Sequence, residues 1–515
     1  MKSFSSRGED DATGGGGAAG KGAAAGGGSA AERAAGERAA GGAGASAAAG
    51  GGAATATRPA GGAPSGAGTP AGMDFAALAR ACLERTEALV GRHGPRLAGS
   101  EPAKAAAREL AEELRGFCDS VRAEEFEAHP ASFYAYMKVL PAAYLLGLLS
   151  ILAFRGLYLA PLLGLVSGIA LMASQFGLYG RLGDRLFPRR TCLNVEGIVE
   201  PTGEAEFELI VSGHHDSAPV ARIYSGPFQR WYAFAIFAPY PFFLLQAGLL
   251  ASLIARPGSA PPAWAPAVLL SGLPFAVAYF LLVDTRRGSP GAGDNLVSSV
   301  LAATIARELA ARKGELLRRT RLRAASFDAE EAGLRGSAAY MRARRGESGG
   351  LPVLMLNFDS LYSASELHVL VSDVNGTVRL SRGMAEDAAD CLRAEGHDPR
   401  LYPMAFGGGA TDAAEAARAG VQATTVIAMP TAVVREGLVY HTPRDRVEAI
   451  EPGVVEACLR LVARYVALLE SGKARVLDDR AAGVRAPAVV IETELGKKIQ
   501  KDLEKAQSAL LIDRM

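Results

Sequence analysis

Four stretches of the chain are apolar almost without interruption, and they come in two pairs. The first pair runs from Tyr136 to Phe154 and from Leu162 to about Tyr179, punctuated by Arg155 and Pro161. The second runs from Trp231 to Ala255 and from Ala265 to Val283, separated by Arg256-Pro257-Gly258-Ser259 and a proline cluster. At about 1.5 Å per residue, each run is long enough as a helix to cross a hydrocarbon layer of about 30 Å. The pattern predicts two transmembrane helical hairpins, at about 136–179 and 231–283. Buried helices of a large soluble core are the other reading, but uninterrupted runs of this length exceed ordinary core helices.

Outside the hairpins, short apolar runs alternate with turn residues and helical stretches, the pattern of an α/β domain. Glu206 to Ser212 and Leu351 to Phe358 read as buried strands, and Leu296 to Leu309 has helical composition. Residues 1–72 are mostly Gly and Ala with no apolar period, so they cannot bury enough surface to offset chain entropy and are expected to be disordered. Met73 opens the first amphipathic segment and is equally a candidate start of translation. The expected organisation is a tail at 1–72, one α/β domain at 73–472 interrupted by both hairpins, and an extension at 473–515. Glu492 to Met515 in that extension reads as an amphipathic helix.

Two hairpins return the chain each time to its starting side, so the polar pieces share one face of the bilayer. Lys138, Arg181, Arg185, Arg189, Arg190, Arg222, Arg230, Arg286 and Arg287 flank the hairpins on that face, against Arg155 and Arg256 in the turns. The positive-inside rule then places the polar domain in the cytoplasm. Tyr134, Tyr136, Tyr179, Trp231 and Tyr232 lie near the ends of the runs, where amphipathic rings favour the interface. No secretory signal lies at Met1 or Met73. With 55 Lys and Arg against 54 Asp and Glu, and no basic block interleaved with aromatics, a nucleic-acid partner has no electrostatic support. Cys82, Cys118, Cys192, Cys391 and Cys458 are odd in number and widely spaced, which reads as reduced, structural thiols.

Candidate chemistry gathers at the ends of the expected strands. The first runs into Gly213-His214-His215-Asp216, where a carboxylate two residues beyond an imidazole can fix the ring while its other nitrogen binds a metal; a core histidine fits the same residues. Gly291-Ala-Gly-Asp294-Asn295 leads into a helix, which suits either an anionic ligand or an ordinary N-cap. The sharpest signal is Phe327-Asp-Ala-Glu330-Glu331-Ala-Gly-Leu-Arg-Gly336-Ser337. Adjacent carboxylates at a strand end repel unless a cation or proton compensates them. One can coordinate while its neighbour accepts a proton from attacking water. Asp359 ends a further apolar strand, and His441 follows Gly437-Leu-Val-Tyr440. Thus His, Asp, Glu-Glu, Asp and His recur in order, nearly all at strand ends.

This order resembles the co-catalytic zinc aminopeptidases of metallopeptidase family twenty-eight, of the bacterial leucyl aminopeptidase and aminopeptidase Y type, over most of Met73 to about Gly472. Glu330 to Ser337 is the most specific part; Gly94-Pro-Arg-Leu-Ala-Gly-Ser100 and Asn194-Val195 add to it. The resemblance implies a zinc-exopeptidase fold of the phosphorylase/hydrolase-like type, a mixed central sheet flanked by helices, here with two transmembrane hairpins inserted. It implies two Zn²⁺ ions, one held by His214 and Asp359, the other by Glu331 and His441, with Asp294 bridging; other divalent metals suit the same donors. It also implies catalytic roles for Glu330 as general base and then acid, for Asp216 in orienting His214, and for Tyr440 in polarising the scissile carbonyl. The substrates expected are peptides with a free N-terminus, taken at the face of a lipid bilayer. Gly407 to Glu415, with Thr411 and Asp412, resembles a turn that borders the substrate pocket and reads equally as a helix cap. His93, His129, His215, His368 and His397 fall outside the series. A single-zinc aminoacyl cyclotransferase and an inactive membrane scaffold of the same fold are the alternatives.

Overall fold

The computed structural model describes residues 70, 72–153, 156–224, 232–347, 349–429 and 438–477. Residues 1–69 and 71 of the expected 1–72 tail and the C-terminal amphipathic helix lie outside these residues, as do Arg155, Arg230 and Trp231.

Strands β1 (Ser120–Ala128), β2 (Arg190–Val199), β3 (Phe207–His214), β6 (Thr320–Phe327), β7 (Val353–Leu361), β8 (His368–Asp373), β9 (Val378–Arg379), β10 (Arg400–Pro403) and β11 (Gln422–Ala428) form one sheet. Strands β4 (Pro219–Ala221) and β5 (Val283–Gly288) pair separately. The sheet order is β1-β2-β6-β3-β7-β11-β8-β10, with β9 beside β8. At its centre β6, β3, β7 and β11 are mutually parallel. Such strands need cover on both faces, and they are accordingly buried along almost their whole length, polar positions included. Alternation along β3 sends Leu209 and Val211 to one layer and Ile210 to the other. The first layer contains helices Phe75–His93, Val297–Ala311, Arg382–Ala394 and Pro452–Glu470; the second contains Arg335–Ala343 and Ala413–Arg418. All five cysteines are free thiols, as their spacing suggested.

Both helical pairs are inserted at the tips of antiparallel strand pairs. The first joins β1 to β2, which stay in unbroken register from Ser120 opposite Ile198 to Ala128 opposite Arg190. The second lies between β4 and β5, whose pairing closes the root of the insertion. Each insertion therefore leaves and re-enters the domain at one point.

Helix Tyr136–Leu152 packs on Leu159–Met172 and Ala265–Leu281, and Leu159–Met172 packs on Pro239–Ala255, so the pairs form one four-helix bundle. Tyr144 Oη donates to Leu269 O at 2.6 Å and Gln246 Nε2 to Tyr144 O at 3.0 Å inside it. The outer surface is apolar too: Leu145, Leu149, Leu163, Val166, Phe234, Leu244, Leu270 and Val277 are exposed.

Two expectations are corrected here. Among the described residues, only Leu159–Gly177 and Phe234–Ala255 are long and apolar enough to cross a membrane; Tyr136–Leu152 and Ala265–Leu281 are shorter. The first of these short helices ends in a turn and the second yields to β5, while Pro161 sits in a first helical turn, where its missing N–H is not needed. Tyr136 does not sit at an interface: it is 3% exposed, packed against Phe176 and Tyr279 within the bundle.

Candidate metal centre

The parallel strands end on one edge of the sheet, the edge where α/β folds place ligands because strand ends and helix starts face each other there. His214 is the last residue of β3, Glu330 and Glu331 follow the end of β6, and Asp359 lies near the end of β7. Asp294 precedes the helix that starts at Val297, and His441 lies in the connection after β11. The five expected ligands, scattered over more than two hundred positions, come together.

Their donor atoms fall into overlapping sets whose members lie within 4.8 Å of one another: His214 with Asp294 and Asp359, and Asp294 with Glu331 and His441. Asp294 is common to both. His441 Nε2 is 3.0 Å from Asp294 Oδ2 and 3.1 Å from Glu331 Oε1; His214 Nε2 is 3.5 Å from Asp294 Oδ1. A third set joins His214, Glu330 and Glu331, with Glu330 Oε2 3.6 Å from His214 Nε2.

The surrounding charges are strongly perturbed. Burial, reinforced by the Glu331 and Asp359 charges and only partly opposed by His214, pushes Glu330 well above the usual carboxylate range. Burial likewise raises Asp359, and raises Glu331 to about 7 against the opposing charge of His441. Burial works against ionising Asp294 as well, but the imidazoles of His214 and His441 outweigh it and hold Asp294 below its ordinary value. Burial disfavours a charged His441, yet Glu331 and Asp294 raise it to about 10. Buried carboxylates so crowded are relieved by a cation. His214 Nε2, Asp294 Oδ2, Glu331 Oε1 and His441 Nε2 are all buried without a hydrogen-bond partner among the described residues. Unsatisfied buried polar atoms are costly, and four converging on one space are the donor set that a divalent metal fits.

Several residues hold the candidate ligands in place. Asp216, fully buried, accepts from the backbone N–H of Glu330 at 3.1 Å and of Glu331 at 3.2 Å. Its Oδ1 lies 3.3 Å from His214 Nδ1, which is also 3.2 Å from the Asp216 carbonyl oxygen. Asp445 accepts from Gly293 N at 2.8 Å and Asp294 N at 3.3 Å. Asn295 Nδ2 donates to Phe358 O at 2.8 Å, tying the Asp294 loop to β7 beside Asp359. Ser360 Oγ donates to Asp359 at 2.9 Å. Ala329, Ser360 and His441 all have positive φ, the sparsely populated backbone that gathers at functional sites.

Arg96 is the largest element that the sequence pattern did not single out. It is 0% exposed, and its guanidinium donates to the carbonyls of Gly94, His215, Pro290 and Gly291 at 2.7–3.0 Å, stapling the His214 and Asp294 loops together. Gly291, at φ +62°, leaves no room for a Cβ, which would fall 2.5 Å from Ser217. Nothing in the sequence marked Arg96 except its place in the Gly94–Ser100 segment.

Tyr440 is stacked on His441, ring centroids 3.7 Å apart, and Tyr224, beside the root of the second helical pair, lies 6.1 Å from Tyr440. Burial and the charges of Asp294 and Glu331 raise the Tyr440 phenol well above its ordinary value. Asp412 occupies the N-cap position of Ala413–Arg418 but makes no capping hydrogen bond; both its oxygens are buried without a hydrogen-bond partner among the described residues, and burial, partly offset by His214 and Ser337, raises it to about 7. His93, His129, His215 and His368 bond elsewhere: to Glu109, Phe187 O, Ser326 and Glu366 O.

Residues 283–466 match the model for Peptidase family M28. Over that segment, just over a third of its length, the chain is similar to that family. The matched segment holds Asp294, Glu330, Glu331, Asp359 and His441, while His214 lies before it. No curated protein matches the chain in sequence. Among solved structures, BSAP, a zinc aminopeptidase from Bacillus subtilis, is 18% identical, over 76% of this chain and 95% of its own, with a TM-score of 0.46. An aminopeptidase from Aneurinibacillus sp. strain AM-1 is 14% identical, over 82% and 98%, with a TM-score of 0.44. A glutaminyl cyclase from Porphyromonas gingivalis is 15% identical, over 77% and 98%, also at 0.44.

Proposed function

We propose that this chain is a peptidase of the M28 type, a membrane-embedded aminopeptidase that holds two divalent ions, zinc by preference. The observation that carries this reading is the pair of ligand sets sharing Asp294, with unpartnered donor atoms in both. His214 and Asp359 would hold one ion, Glu331 and His441 the other, and Asp294 both. When bound, the ions supply Lewis acidity, which acidifies water and stabilises a developing oxyanion.

Glu330 is the one carboxylate of the group left over for proton transfer. It takes the proton of the attacking water and returns it to the leaving amine, a role that suits a carboxyl raised by burial. Asp216 orients His214 and fixes the backbone of the Glu330–Glu331 turn. Tyr440, held against His441, is positioned to polarise the scissile carbonyl. A free α-amine offers the centre a nitrogen donor that an internal peptide bond lacks, which favours cleavage from the N-terminus. A shared ligand and a spare base both favour two ions and hydrolysis over a single-ion cyclotransferase.

The bilayer reading is supported by the exposed side of the four-helix bundle, which is as apolar as its inside. Only 28% of the most apolar window of each long helix is buried, unlike a helix in a soluble core. The shorter helices would match the bilayer through flanking basic residues and local thinning. Lys138, Arg181, Arg185, Arg189, Arg190, Arg222, Arg286 and Arg287 lie towards the roots of the pairs, so the peptidase face would be cytoplasmic. With both roots beside the centre, peptides partitioned at that surface are the expected substrates.

Hydrolysis of aminoacyl fluorogenic substrates by the purified chain, with chelation and Glu330→Gln as controls, tests the reading. Loss of a general base should lower kcat by about 10²–10⁴-fold with metal retained. Turnover that survives both treatments contradicts it.

A further inference from the structure

The first helical pair is inserted between β1 and β2, yet its feet end on the turn that carries Glu330 and Glu331. Arg335, 4% exposed, begins the helix just beyond that turn. Its Nη2 donates to Gln175 Oε1 and to Gly180 O, each at 2.7 Å, and approaches Asp184 Oδ1 at 3.3 Å; its Nη1 donates to Gly333 O at 2.8 Å. Gln175 is fully buried in the π-helical turn Ala173–Gly177 that ends the second helix of the pair. Asp184 also accepts from Ser132 Oγ at 2.7 Å and Gln175 Nε2 at 2.8 Å, and Ser132 precedes the first helix, so both feet meet on one carboxylate. Phe133 closes the contact: a Cβ on Gly333 would fall 2.8 Å from its ring.

On the other side of the turn, Gly333 N and Leu334 N both donate to Glu330 O at 2.8 Å. One guanidinium thus lies between the seat of the first pair and the backbone of Glu330.

We propose that Arg335 is a positioning residue that locks the first helical pair to the Glu330–Glu331 turn, so that the packing of the pair in its surroundings sets the order of that turn. The proposal rests on the bilayer reading of the helical pairs, and on the peptidase reading only for the role given to Glu330. A buried charge with this many acceptors is held in a single geometry, because displacing it would leave both the cation and Asp184 unpaired. Asn375 reinforces the link: its Nδ2 donates to Phe176 O at 2.7 Å, while its Oδ1 accepts from Gly407 N at 2.9 Å, in the loop before Thr411 and Asp412.

Hydrogen exchange of the full chain, in lipid nanodiscs and in short-chain detergent, reads the link without requiring activity. In the wild type, residues 329–336 should exchange more slowly in nanodiscs, in step with residues 173–184. In Arg335→Met, exchange at 329–336 should be at least tenfold faster and equal in the two environments, with 207–214 and 452–470 as protected as before. Gln175→Leu should give the same change at smaller amplitude. A wild-type turn indifferent to environment, or an Arg335→Met turn that still responds to it, overturns the proposal. So does general loss of protection in Arg335→Met with an unchanged turn in Gln175→Leu. Wild-type turnover is assayed in parallel: an inactive chain with a linked turn sinks the peptidase reading and leaves the link standing.

Discussion

Replacing Asp216 by asparagine removes charge from a carboxylate that serves three neighbours at once. It accepts from Glu330 N and Glu331 N and lies 3.3 Å from His214 Nδ1. The carboxamide offers one acceptor oxygen, so at least one backbone donor is left facing an NH2 group. Loss of one hydrogen bond to a charged acceptor costs about 1.5–3 kcal/mol. At about 1.4 kcal/mol per decade, this amounts to roughly 10- to 150-fold. Outer-shell partners of metal ligands generally cost about 10–100-fold in affinity or activity, a similar range. Asp216→Asn should therefore weaken zinc, read by competition with a fluorescent chelator, and lower kcat/KM on an aminoacyl fluorogenic substrate, both by one to two decades. Thermal unfolding of the metal-free protein separates this from general destabilisation. Zinc affinity and kcat/KM both within threefold of the wild type would refute the role derived for this carboxylate.

Two further outcomes follow from the same charges. Arg96→Met strips four carbonyls of a buried donor and removes a buried cation whose charge Asp445 and Asp216 help to balance; thermal or chemical denaturation should register a loss of about 3–5 kcal/mol, whereas a surface arginine would give almost none. In the metal-free protein His441 is raised to about 10, so below that pH it carries a proton that must leave when its nitrogen binds a metal. Apparent zinc affinity should therefore rise with pH from about 6 and level off as pH passes about 10, and calorimetry in buffers of different ionisation enthalpy should show proton release at neutral pH that fades towards pH 10.

The ligand series was legible in the sequence because a parallel α/β sheet puts its chemistry where apolar strands stop. His214 and the Glu330–Glu331 pair stand just where Phe207–His214 and Thr320–Phe327 end. Apart from Asp216, their supports were not legible. Arg96, Asp445 and Arg335 act across more than a hundred positions of sequence or on carbonyl groups, and neither leaves a periodic trace. The apolar runs located all four helices of the bundle but overstated two of their lengths, since apolar residues continue into a turn in one case and reach β5 in the other. The ring of Tyr136 was assigned to an interface on position alone, whereas helical phase turns it into the bundle.

The central claim is that two cations share Asp294, and elemental analysis of the purified chain by mass spectrometry tests it most directly. The account predicts two zinc ions per wild-type chain, and fewer than one in Asp294→Ala, because both ligand sets lose the same carboxylate. One ion per wild-type chain, or two ions that persist in Asp294→Ala, would contradict it.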